Sequence, residues 1–423
     1  MTAGKREAAK EAQYSNREET VTLTALAYGG DAIGRLQDNS TVFVPFGLPG
    51  EIVRVSVQEE KKKFARGKII ELLKPSPERV DPRCPHFGEC GGCHFQHLSY
   101  SGQAHAKEDI VRQQLQRIGR IENPPVLPLV KAPTPWNYRN TIQLHLSREG
   151  QPGFQAAGSN SIISIRECHL PAAAINEIWP LLDLAPEAGI TRIELRSNTA
   201  GDVLLVLQTE GNEVPEMVLD LDVSVVHSSR QGETLLAGDP GLVMEVLGKP
   251  FYVSAGSFFQ VNTQQAEAMV STLLEKLHIQ PADTVLDLYC GVGLFSLFLA
   301  PLADRVIGVE SSPSACQDYA VNLDAFDHVE LYEGGAEMVL PLLDAHPRVA
   351  VVDPPRAGMD RRALDALVSL QPEQIAYVSC DPSTLARDLN LLLKEGYSLQ
   401  EVIPFDLFPQ TYHVETVVIM SRV

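Results

Sequence analysis

The chain has 423 residues, 44% of them hydrophobic, which allows two to four domains with ordinary cores. Residues 1–20 are polar and charged, and the longest apolar run, residues 285–303, contains Asp287 and two glycines; we therefore expect no signal peptide, no membrane span and a cytoplasmic location. The formal net charge of −19 is unevenly divided, +3 over residues 1–135 and −22 over residues 136–423, so a polyanion is expected to contact the N-terminal third first.

Short alternating runs of apolar and polar residues follow a patternless tail at residues 1–16. Four such runs predict strands: Val21–Thr24, Thr41–Phe46, Glu51–Val57 and Arg66–Leu72. Turn residues separate them, at 29–31, 47–50 and 59–61. Four or five short strands in about 55 residues are typical of a five-stranded barrel of the oligonucleotide-binding kind. The barrel region also holds the densest basic cluster of the chain: Lys61, Lys62, Lys63, Arg66 and Lys68.

A proline-rich linker at residues 75–85 leads into a cysteine segment with the spacing Cys84-x5-Cys90-x2-Cys93, and Cys168 supplies a fourth thiol. The chain has 7 cysteines, and an odd number in a cytoplasmic protein favours metal binding or catalysis over disulfides. Four thiolates bind either zinc or an iron–sulfur cluster, and spacing alone does not choose between them.

The middle of the chain reads as one helix followed by an irregular β-rich region. Residues 101–120 are amphipathic, with Ile110, Leu115 and Ile118 toward a core. Residues 136–244 contain apolar strands such as Thr141–Leu146 and Val203–Leu207. This region is predicted to be a separate β-rich part.

From residue 264 onward, predicted strands alternate with helices, which indicates a doubly wound, Rossmann-like α/β domain. The predicted strands are Thr284–Leu288, Arg305–Val309, Val349–Val352, Ile375–Ser379 and Val414–Met420.

The first of these strands leads into a glycine turn, Asp287-x3-Gly291-x-Gly293. Such glycines allow a tight turn and a ligand close to the backbone. Ser296 stands where a third glycine would favour a dinucleotide. Glu310 ends the next strand, where an acid can accept both hydroxyls of a ribose, and Asp353 ends another. This combination fits S-adenosylmethionine, which has a ribose and no phosphate.

A thiol and a carboxylate complete the predicted site. Cys380 follows a buried strand and points into the crevice where open α/β sheets bind ligands. Glu415 lies further along, and His413, two residues before it, is expected on the same strand face. A nucleotide-type cofactor beside a thiol and a carboxylate indicates covalent catalysis on a bound base.

Five motifs together carry a resemblance to the RNA uracil-C5 methyltransferases along nearly the whole chain. They are Phe258-Phe259-Gln260-Val261-Asn262, Asp287 to Gly293, Asp353-Pro354-Pro355-Arg356-x-Gly358, Ser379-Cys380-Asp381-Pro382 and His413-Val414-Glu415-Thr416. The N-terminal barrel resembles a TRAM domain.

The resemblance implies roles for particular residues. Cys380 is implied as the nucleophile that adds to C6 of uracil, and Glu415 as the base that removes the C5 proton. Phe258 is placed to contact the flipped base. The positions that match cofactor contacts are Gln260, Tyr289, Gly291, Gly293, Glu310 and Asp353. The four cysteines are implied as ligands of a [4Fe-4S] cluster: Cys84, Cys90, Cys93 and Cys168.

Two positions depart from the family pattern. Leu294 stands where many relatives carry Asn, and Gly335 stands where an Asp is common. The adenine amino group is therefore expected to be held differently.

The expected organisation has three parts. Residues 17–76 form the TRAM barrel, and residues 77–95 with 122–255 form a central iron–sulfur domain. Residues 96–121 with 256–423 form the S-adenosylmethionine-dependent catalytic domain. The expected partner is RNA, with 23S ribosomal RNA favoured over transfer RNA, and the expected state is a monomer without membrane association.

Other readings stay open on the sequence alone. A transfer RNA uridine methyltransferase shares the same catalytic residues. An amino-methyltransferase would place an aromatic residue where Arg356 stands and leaves Cys380 and Glu415 unexplained. A non-catalytic iron–sulfur RNA-binding protein would need neither Cys380 nor Glu415.

Overall fold

The structure is a computed structural model that describes residues 17–147, 150–182, 184, 189–215 and 220–423, so the tail predicted at residues 1–16 lies outside the described residues. The described chain divides into two compact units. The first comprises the described residues up to Arg83 with Cys93–Ala106 and Gln410–Tyr412. The second comprises Cys84–Gly92, Lys107–Pro409 and His413–Val423. No helix in the described ranges combines the length and apolar character that a membrane span needs.

A closed five-stranded barrel dominates the first unit, as the sequence predicts. Its strands follow the order β1-β2-β3-β5-β4, and only β3 and β5 pair in parallel among them. Their bounds are β1 Glu18–Leu26, β2 Ala32–Arg35, β3 Thr41–Val44, β4 Ile52–Lys61 and β5 Phe64–Lys74. Alternate residues such as Val21, Leu23, Val53 and Val55 are fully buried, because side chains of a strand point to opposite faces.

One predicted barrel turn is wrong. Residues 59–61 belong to β4, and the chain turns at Lys62 and Lys63 instead. The ladder of β4 and β5 continues to the pair Lys61 and Phe64. This pairing leaves only Lys62 and Lys63 for the hairpin loop, and the other residues of the basic cluster lie on the two strands next to it.

The predicted helix forms as α1, Tyr100–Arg117, and ends three residues early. Arg120 has a left-handed φ of 56°, which the helix cannot continue through. Ile110 and Leu115 are buried, as predicted, whereas Ile118 is 41% exposed. The prediction for Ile118 is wrong because the residue lies beyond the last turn, where the helical period no longer sets its direction.

A seven-stranded sheet forms the β-rich middle of the second unit, in the order β12-β11-β10-β9-β6-β7-β8. The elements are β6 Thr141–Leu146, β7 Pro152–Gln155, β8 Ile162–Ser164, α2 Ala173–Ile178, β9 Ile190–Ser197, β10 Val203–Thr209, β11 Ser224–Ser229 and β12 Gly232–Ala237. A core that includes Leu144, Ile193 and Leu205 lies against one face. A separate hairpin follows, formed by β13 Gly241–Val246 and β14 Lys249–Ser254.

The last part of the chain is a doubly wound α/β sheet in the order β17-β16-β15-β18-β19-β21-β20. Strands β15 to β19 pair in parallel, and β21 runs antiparallel between β19 and β20. The elements are α3 Thr263–Lys276, β15 Thr284–Leu288, α4 Ser296–Leu299, β16 Arg305–Glu310, α5 Pro313–Asn322, β17 Val329–Glu333, α6 Ala336–Val339, β18 Val349–Val352, α7 Arg361–Leu370, β19 Gln374–Ser379, α8 Pro382–Lys394, β20 Tyr397–Phe405 and β21 Glu415–Arg422.

This arrangement confirms the predicted fold class. It brings the carboxyl ends of β15, β16, β18 and β19 to one edge of the sheet, where open α/β sheets bind ligands.

A buried ion pair ties α1 to the segment after β20. Lys107 and Asp406 are both fully buried, and Lys107 Nζ donates to Asp406 Oδ1 at 2.5 Å and to the Phe408 carbonyl at 3.0 Å. The amide of Asp406 in turn donates to the Val130 carbonyl at 3.0 Å. Burial lowers the pKa of Lys107, and Asp406 opposes that effect. Each charge is therefore tolerated only while its partner is present.

Removing one member of this pair is expected to destabilise the second unit strongly. Lys107→Met leaves the Asp406 carboxylate buried and uncompensated, which costs about 3–5 kcal/mol. Thermal unfolding measures the effect as a lower midpoint, and the double variant Lys107→Met/Asp406→Leu should recover much of the loss. Arg361→Met, which breaks an exposed pair with Asp365, is the control with a much smaller change. A midpoint for Lys107→Met equal to that of the control contradicts the assignment.

Candidate active site

The turn after β15 is held in a left-handed backbone conformation. Tyr289, Gly291 and Gly293 have φ values of 61°, 55° and 92°. A Cβ at Gly293 would lie 2.5 Å from Cδ2 of Leu323, whereas a Cβ at Gly291 would meet no atom within 4 Å. Gly293 is therefore required by packing. Gly291 leaves open space beside the backbone, and the left-handed Tyr289 carries the strain that is typical of functional turns.

Asp287 anchors this turn from below. Its Oδ2 accepts hydrogen bonds from the Ser296 amide at 3.0 Å and the Ser296 hydroxyl at 2.6 Å, and Tyr319 Oη donates to Ser296 Oγ at 3.0 Å. Oδ1 of Asp287 is buried without a hydrogen-bond partner among the described residues. Burial raises the pKa of Asp287 to about 7. An unpaired buried acceptor of this kind is a place for a ligand donor.

Glu310 closes the turn from the end of β16. Its Oε2 accepts from the Gly291 amide at 3.0 Å, and its Oε1 accepts from the amides of Ser311 and Ser312, both at 2.7 Å. The Ser311 hydroxyl also donates to Oε1, at 3.4 Å, whereas among the described residues Oε2 accepts only from the Gly291 amide, so an acceptor position remains on Oε2 for a donor of a ligand. The glycine turn and Glu310 thus form one cradle.

The strand register brings Cys380 and Glu415 together. Strands β19 and β21 are antiparallel with Ser379 opposite Thr416, so the next pair in the same register is Cys380 opposite Glu415. Asp381 follows Cys380 directly and caps α8, with its side chain accepting from the amides of residues 383 and 384. The thiol therefore lies between a strand end and a helix start, and Glu415 is 3% exposed at the beginning of the facing strand.

Buried negative charges dominate this pair. Burial raises the pKa of Cys380 to about 12, the charges of Glu415 and Asp353 add to the effect, and Arg356 opposes it. Burial and then Asp353 raise the pKa of Glu415 well above its ordinary value, again against Arg356. Burial raises the pKa of Asp353 to about 7. The site without a ligand therefore favours a neutral thiol and a neutral acid, and a cationic ligand would favour both ionised forms.

Phe258 is the exposed member of a buried segment. Its side chain is 70% exposed, whereas Phe259 and Gln260 on its C-terminal side are 4% and 9% exposed. A large aromatic ring left in solvent is available for stacking. The predicted contact of Phe258 with a base remains a prediction.

The structure also bears on two further positions for which the sequence gives an expectation, His413 and Gly335. His413 precedes β21, and its ring packs edge-on against Phe408 at 5.8 Å between centroids; the expectation that it shares a strand face with Glu415 is therefore wrong. At Gly335, a Cβ would lie 2.4 Å from Oε1 of Glu337. The carboxylate of Glu337 thus occupies the space that an acidic side chain at residue 335 would enter.

The cysteines of the predicted cluster are partly gathered. Cys84, Cys90 and Cys168 lie in the second unit and Cys93 in the first. Burial raises the pKa of Cys168 to about 11, and the charges of Cys90 and Cys84 raise it further. These three thiols therefore lie near enough to one another for their charges to interact, and thiolates are suitable donors for an iron–sulfur cluster. Across the described ranges, however, no group of three His, Cys, Asp or Glu side chains is arranged to hold a metal ion.

Two residues contribute to the site although no role is predicted for them from the sequence. Arg356 is the cation that opposes the buried carboxylates at both Cys380 and Glu415. Tyr319 supports the glycine turn through Ser296. The position of Arg356 directly after Asp353-Pro354-Pro355 was a usable signal, because a strand-end acid cluster needs a nearby positive charge. Tyr319 carries no such signal in the sequence.

Two protein families match the chain. The family described as tRNA (Uracil-5-)-methyltransferase matches residues 216–341 and 340–423. The TRAM domain matches residues 12–70. The two matches cover the α/β sheet and the barrel respectively.

Individual relatives are similar over almost the entire chain. An RNA methyltransferase of Bacillus cereus, described as uncharacterized, is 36% identical over 95% of this chain and 96% of its own length. One of Thermosynechococcus vestitus is 34% identical over 94% of this chain and 97% of its own length. Among solved structures, a Pyrococcus abyssi tRNA (uracil-54, C5)-methyltransferase in complex with S-adenosyl-L-homocysteine is similar with a TM-score of 0.71. It is 26% identical, over 95% of this chain and 100% of that one.

Opposite changes in reactivity are expected from the two charged neighbours of Cys380. At pH 8, above its pKa of about 7, Asp353 is mostly ionised and disfavours the thiolate. Asp353→Asn should therefore speed alkylation of Cys380 by iodoacetamide about threefold to tenfold, and Arg356→Gln should slow it. Mass spectrometry of digested protein measures labelling of Cys380, with buried Cys316 in the same digest as the control for unfolding. Equal rates in both variants contradict the charge assignment.

Proposed function

The chain belongs to the S-adenosylmethionine-dependent RNA uracil-C5 methyltransferase family, and we propose that it methylates C5 of a uridine in 23S ribosomal RNA through a covalent intermediate on Cys380. One observation carries the mechanism: the ladder of β19 and β21 ends with Ser379 opposite Thr416, which brings Cys380 and Glu415 close enough for the charge of Glu415 to raise the pKa of Cys380. Both lie within reach of Asp353, whose charge raises the pKa of each.

Residues of the cradle suit S-adenosylmethionine. Gly291 leaves open space beside the backbone, Oε2 of Glu310 retains an acceptor position for a ribose hydroxyl, and Oδ1 of Asp287 is an unpaired buried acceptor. We assign cofactor contacts to these residues together with Gln260, Tyr289, Gly293 and Asp353. When bound, S-adenosylmethionine supplies an electrophilic methyl group and a positive sulfonium charge.

Cys380 performs the first step in this proposal. C5 of uracil is a poor nucleophile, and addition of the Cys380 thiolate to C6 converts C4–C5 into an enolate. A new S–C6 bond forms, the C5–C6 π bond is lost, and the electron pair moves to O4. The nucleophilic C5 would then take the methyl group, and the electron pair of the broken carbon–sulfur bond would stay on the neutral thioether that leaves. Because burial and then the carboxylates of Glu415 and Asp353 raise the pKa of Cys380, the positive charges of Arg356 and the cofactor are needed to make the thiolate reachable.

Glu415 performs the last step. It removes the proton from methylated C5, the electron pair re-forms the C5–C6 double bond, and the Cys380 thiolate leaves. Burial at 3% exposure keeps water away from this proton transfer. A carboxylate with a raised pKa is a stronger base than an exposed one. Phe258 stacks on the base, which must come from a loop or be extruded from a helix.

The RNA that we propose as substrate is inferred from the TRAM barrel and the four cysteines. A TRAM barrel with a four-cysteine set is typical of relatives that modify ribosomal RNA, which favours 23S ribosomal RNA. Transfer RNA is the second candidate, because the similar Pyrococcus abyssi enzyme acts on uracil 54 of transfer RNA. The barrel hairpin with Lys61, Lys62 and Lys63 offers positive charge to either polyanion.

The iron–sulfur cluster remains a proposal from the sequence. Cys84, Cys90 and Cys168 supply three thiolates, and Cys93 is the fourth predicted ligand. We assign this cluster to folding and RNA positioning and not to the methyl transfer.

The proposed reaction predicts separate consequences for the two catalytic residues. Anaerobically purified protein is incubated with methyl-labelled S-adenosylmethionine and unmodified ribosomal or transfer RNA, and nucleosides are analysed. Wild type should label 5-methyluridine in ribosomal RNA, and Cys380→Ala should label none while still binding the cofactor. Glu415→Gln should lose about a hundredfold in rate or more and accumulate a protein–RNA adduct that resists denaturing electrophoresis.

The control for Glu415→Gln is Glu373→Gln, which changes an exposed pair with Arg348. Label only in transfer RNA would move the substrate to the second candidate. Label in 5-methyluridine that persists in Cys380→Ala would overturn the covalent mechanism.

The cluster proposal predicts a metal content that depends on Cys168. Anaerobically purified wild type should hold about four iron and four sulfide per chain, and Cys168→Ser should lose most of both. Cys316→Ser, at a buried thiol outside the ligand set, should retain them. Wild type that holds zinc or no metal would contradict the proposal.

A further inference from the structure

Arg196 holds the chain immediately before Phe258. Its side chain, on β9, is 4% exposed. Nη1 donates to the Ser254 carbonyl at 3.1 Å, and Nη2 donates to the Ser257 carbonyl at 2.8 Å. One guanidinium therefore binds both ends of the four-residue turn that precedes the exposed Phe258.

Asn140 holds the same segment on its other side. Its side-chain amide donates to the Gln260 carbonyl at 2.9 Å and to Thr263 Oγ1 at 3.1 Å, and its backbone amide donates to the Val261 carbonyl at 2.9 Å. Phe258 and Phe259 are thus flanked by two sets of hydrogen bonds, which we call grips. The Arg196 grip binds Ser254 and Ser257, and the Asn140 grip binds the chain from Gln260 onward.

Both grips come from one place in the seven-stranded sheet. Strands β6 and β9 pair with Thr141 opposite Arg196, and the Ser197 amide donates to the Asn140 carbonyl at 2.8 Å. Arg196 and Asn140 are therefore neighbours at the same end of two adjacent strands. A sheet that contributes no catalytic residue reaches the site through this pair.

The Arg196 grip is itself braced. Glu194, on the same face of β9, accepts from Arg196 Nη2 at 2.8 Å and from Gln143 Nε2 at 2.8 Å. On the far side of the turn, Asp318 of α5 accepts from the amide and hydroxyl of Ser254 at 2.9 and 2.8 Å. These contacts fix the rotamer of the guanidinium and the position of the turn that it binds.

We propose that Arg196 and Asn140 are positioning residues that set the exposed ring of Phe258 and the adjacent Gln260 for the methyl-transfer site. Arg196 acts through Ser257 on Phe258, and Asn140 acts through the Gln260 carbonyl. This inference rests on the proposed function, in which Phe258 contacts the base and Gln260 the cofactor. It assigns to the central sheet the task of presenting the base-contacting segment.

Substitutions at Arg196 and Asn140 are expected to change different quantities, kcat/KM for RNA and the affinity for S-adenosylmethionine respectively. Arg196→Lys keeps a positive charge beside Glu194 but loses the planar fork that spans two carbonyls. It should lower kcat/KM for RNA about tenfold or more, with the Kd for S-adenosylmethionine within about twofold of wild type. Asn140→Ala, which removes the donor to the Gln260 carbonyl, should weaken S-adenosylmethionine binding more than it lowers kcat at saturating cofactor. Asn140→Ala carries the test if Arg196→Lys does not fold.

A double-mutant cycle shows whether Arg196 acts through Phe258. If it does, Phe258→Ala combined with Arg196→Lys should lose no more activity than the worse single variant, because coupled residues are not additive. Arg192→Lys, on the same strand opposite His145, is the matched control and should retain wild-type kinetics.

Three outcomes overturn the inference. The first is that Arg196→Lys has the same kinetics as Arg192→Lys, and the second is that the losses of activity multiply in the double variant. The third is that Arg196→Lys and Asn140→Ala change kcat/KM for RNA and the Kd for S-adenosylmethionine to the same extent. Wild type that forms no 5-methyluridine is a different failure, because it rejects the proposed function itself.

Discussion

Desolvated negative charge at the carboxyl edge of the parallel sheet is the constraint on which this site depends. Asp287 lies within β15 and Asp353 follows the neighbouring strand β18, and burial raises the pKa of each to about 7. Glu415 joins them from an antiparallel strand, with its pKa raised still further above its ordinary value. Buried carboxylates are unfavourable unless hydrogen-bonded or neutralised, so the free site is poised for a cationic ligand. The same charges hold Cys380 as a thiol until such a ligand is present.

The other elements around the α/β sheet support that edge. The glycine turn is fixed by three hydrogen-bonded neighbours, Ser296, Tyr319 and Glu310, each from a different element. The buried Lys107–Asp406 pair fixes the chain between β20 and β21. This segment leads into the strand that begins at Glu415. Charged and polar groups are thus buried where they restrict the backbone around the crevice. The apolar core, with Val285, Val306, Val349 and Val417, supplies the rigid sheet that carries them.

Two sheets with different roles meet at the Phe258 segment. The α/β sheet carries the residues that we propose as nucleophile and base, Cys380 and Glu415, together with the glycine turn after β15. The seven-stranded sheet contributes Arg196 and Asn140, whose side-chain hydrogen bonds to that segment go to backbone carbonyls and to one threonine hydroxyl. Backbone contacts of this kind are independent of the neighbouring side chains, so they position Phe258 without restricting what its exposed ring binds.

Local patterns in the sequence were sufficient for the barrel, the parallel strands and the nature of the chemistry. Alternation with period two identified β1 and β4, and apolar runs identified β15 and β18 to the residue, because these signals depend only on neighbours in the chain. Glu310, Asp353 and Cys380 were predicted because strand ends of a parallel sheet converge. Missed or misplaced features, such as the end of α1 at Arg117, the continuation of β4 to Lys61 and the position of His413 before β21, depend on where backbone pairing stops. That limit is set by tertiary contacts.

The sequence by itself determined which residue types are available for a methyl transfer to a base: a thiol, a carboxylate, a glycine turn and strand-end acids. Only the tertiary structure decided that Cys380 faces Glu415, because the register of β19 and β21 joins residues that are 35 positions apart. Only the tertiary structure decided that Glu337 occupies the space beside Gly335 and that Arg196 reaches Ser254 and Ser257. Such contacts follow from packing between distant elements, and no pattern within one element encodes them.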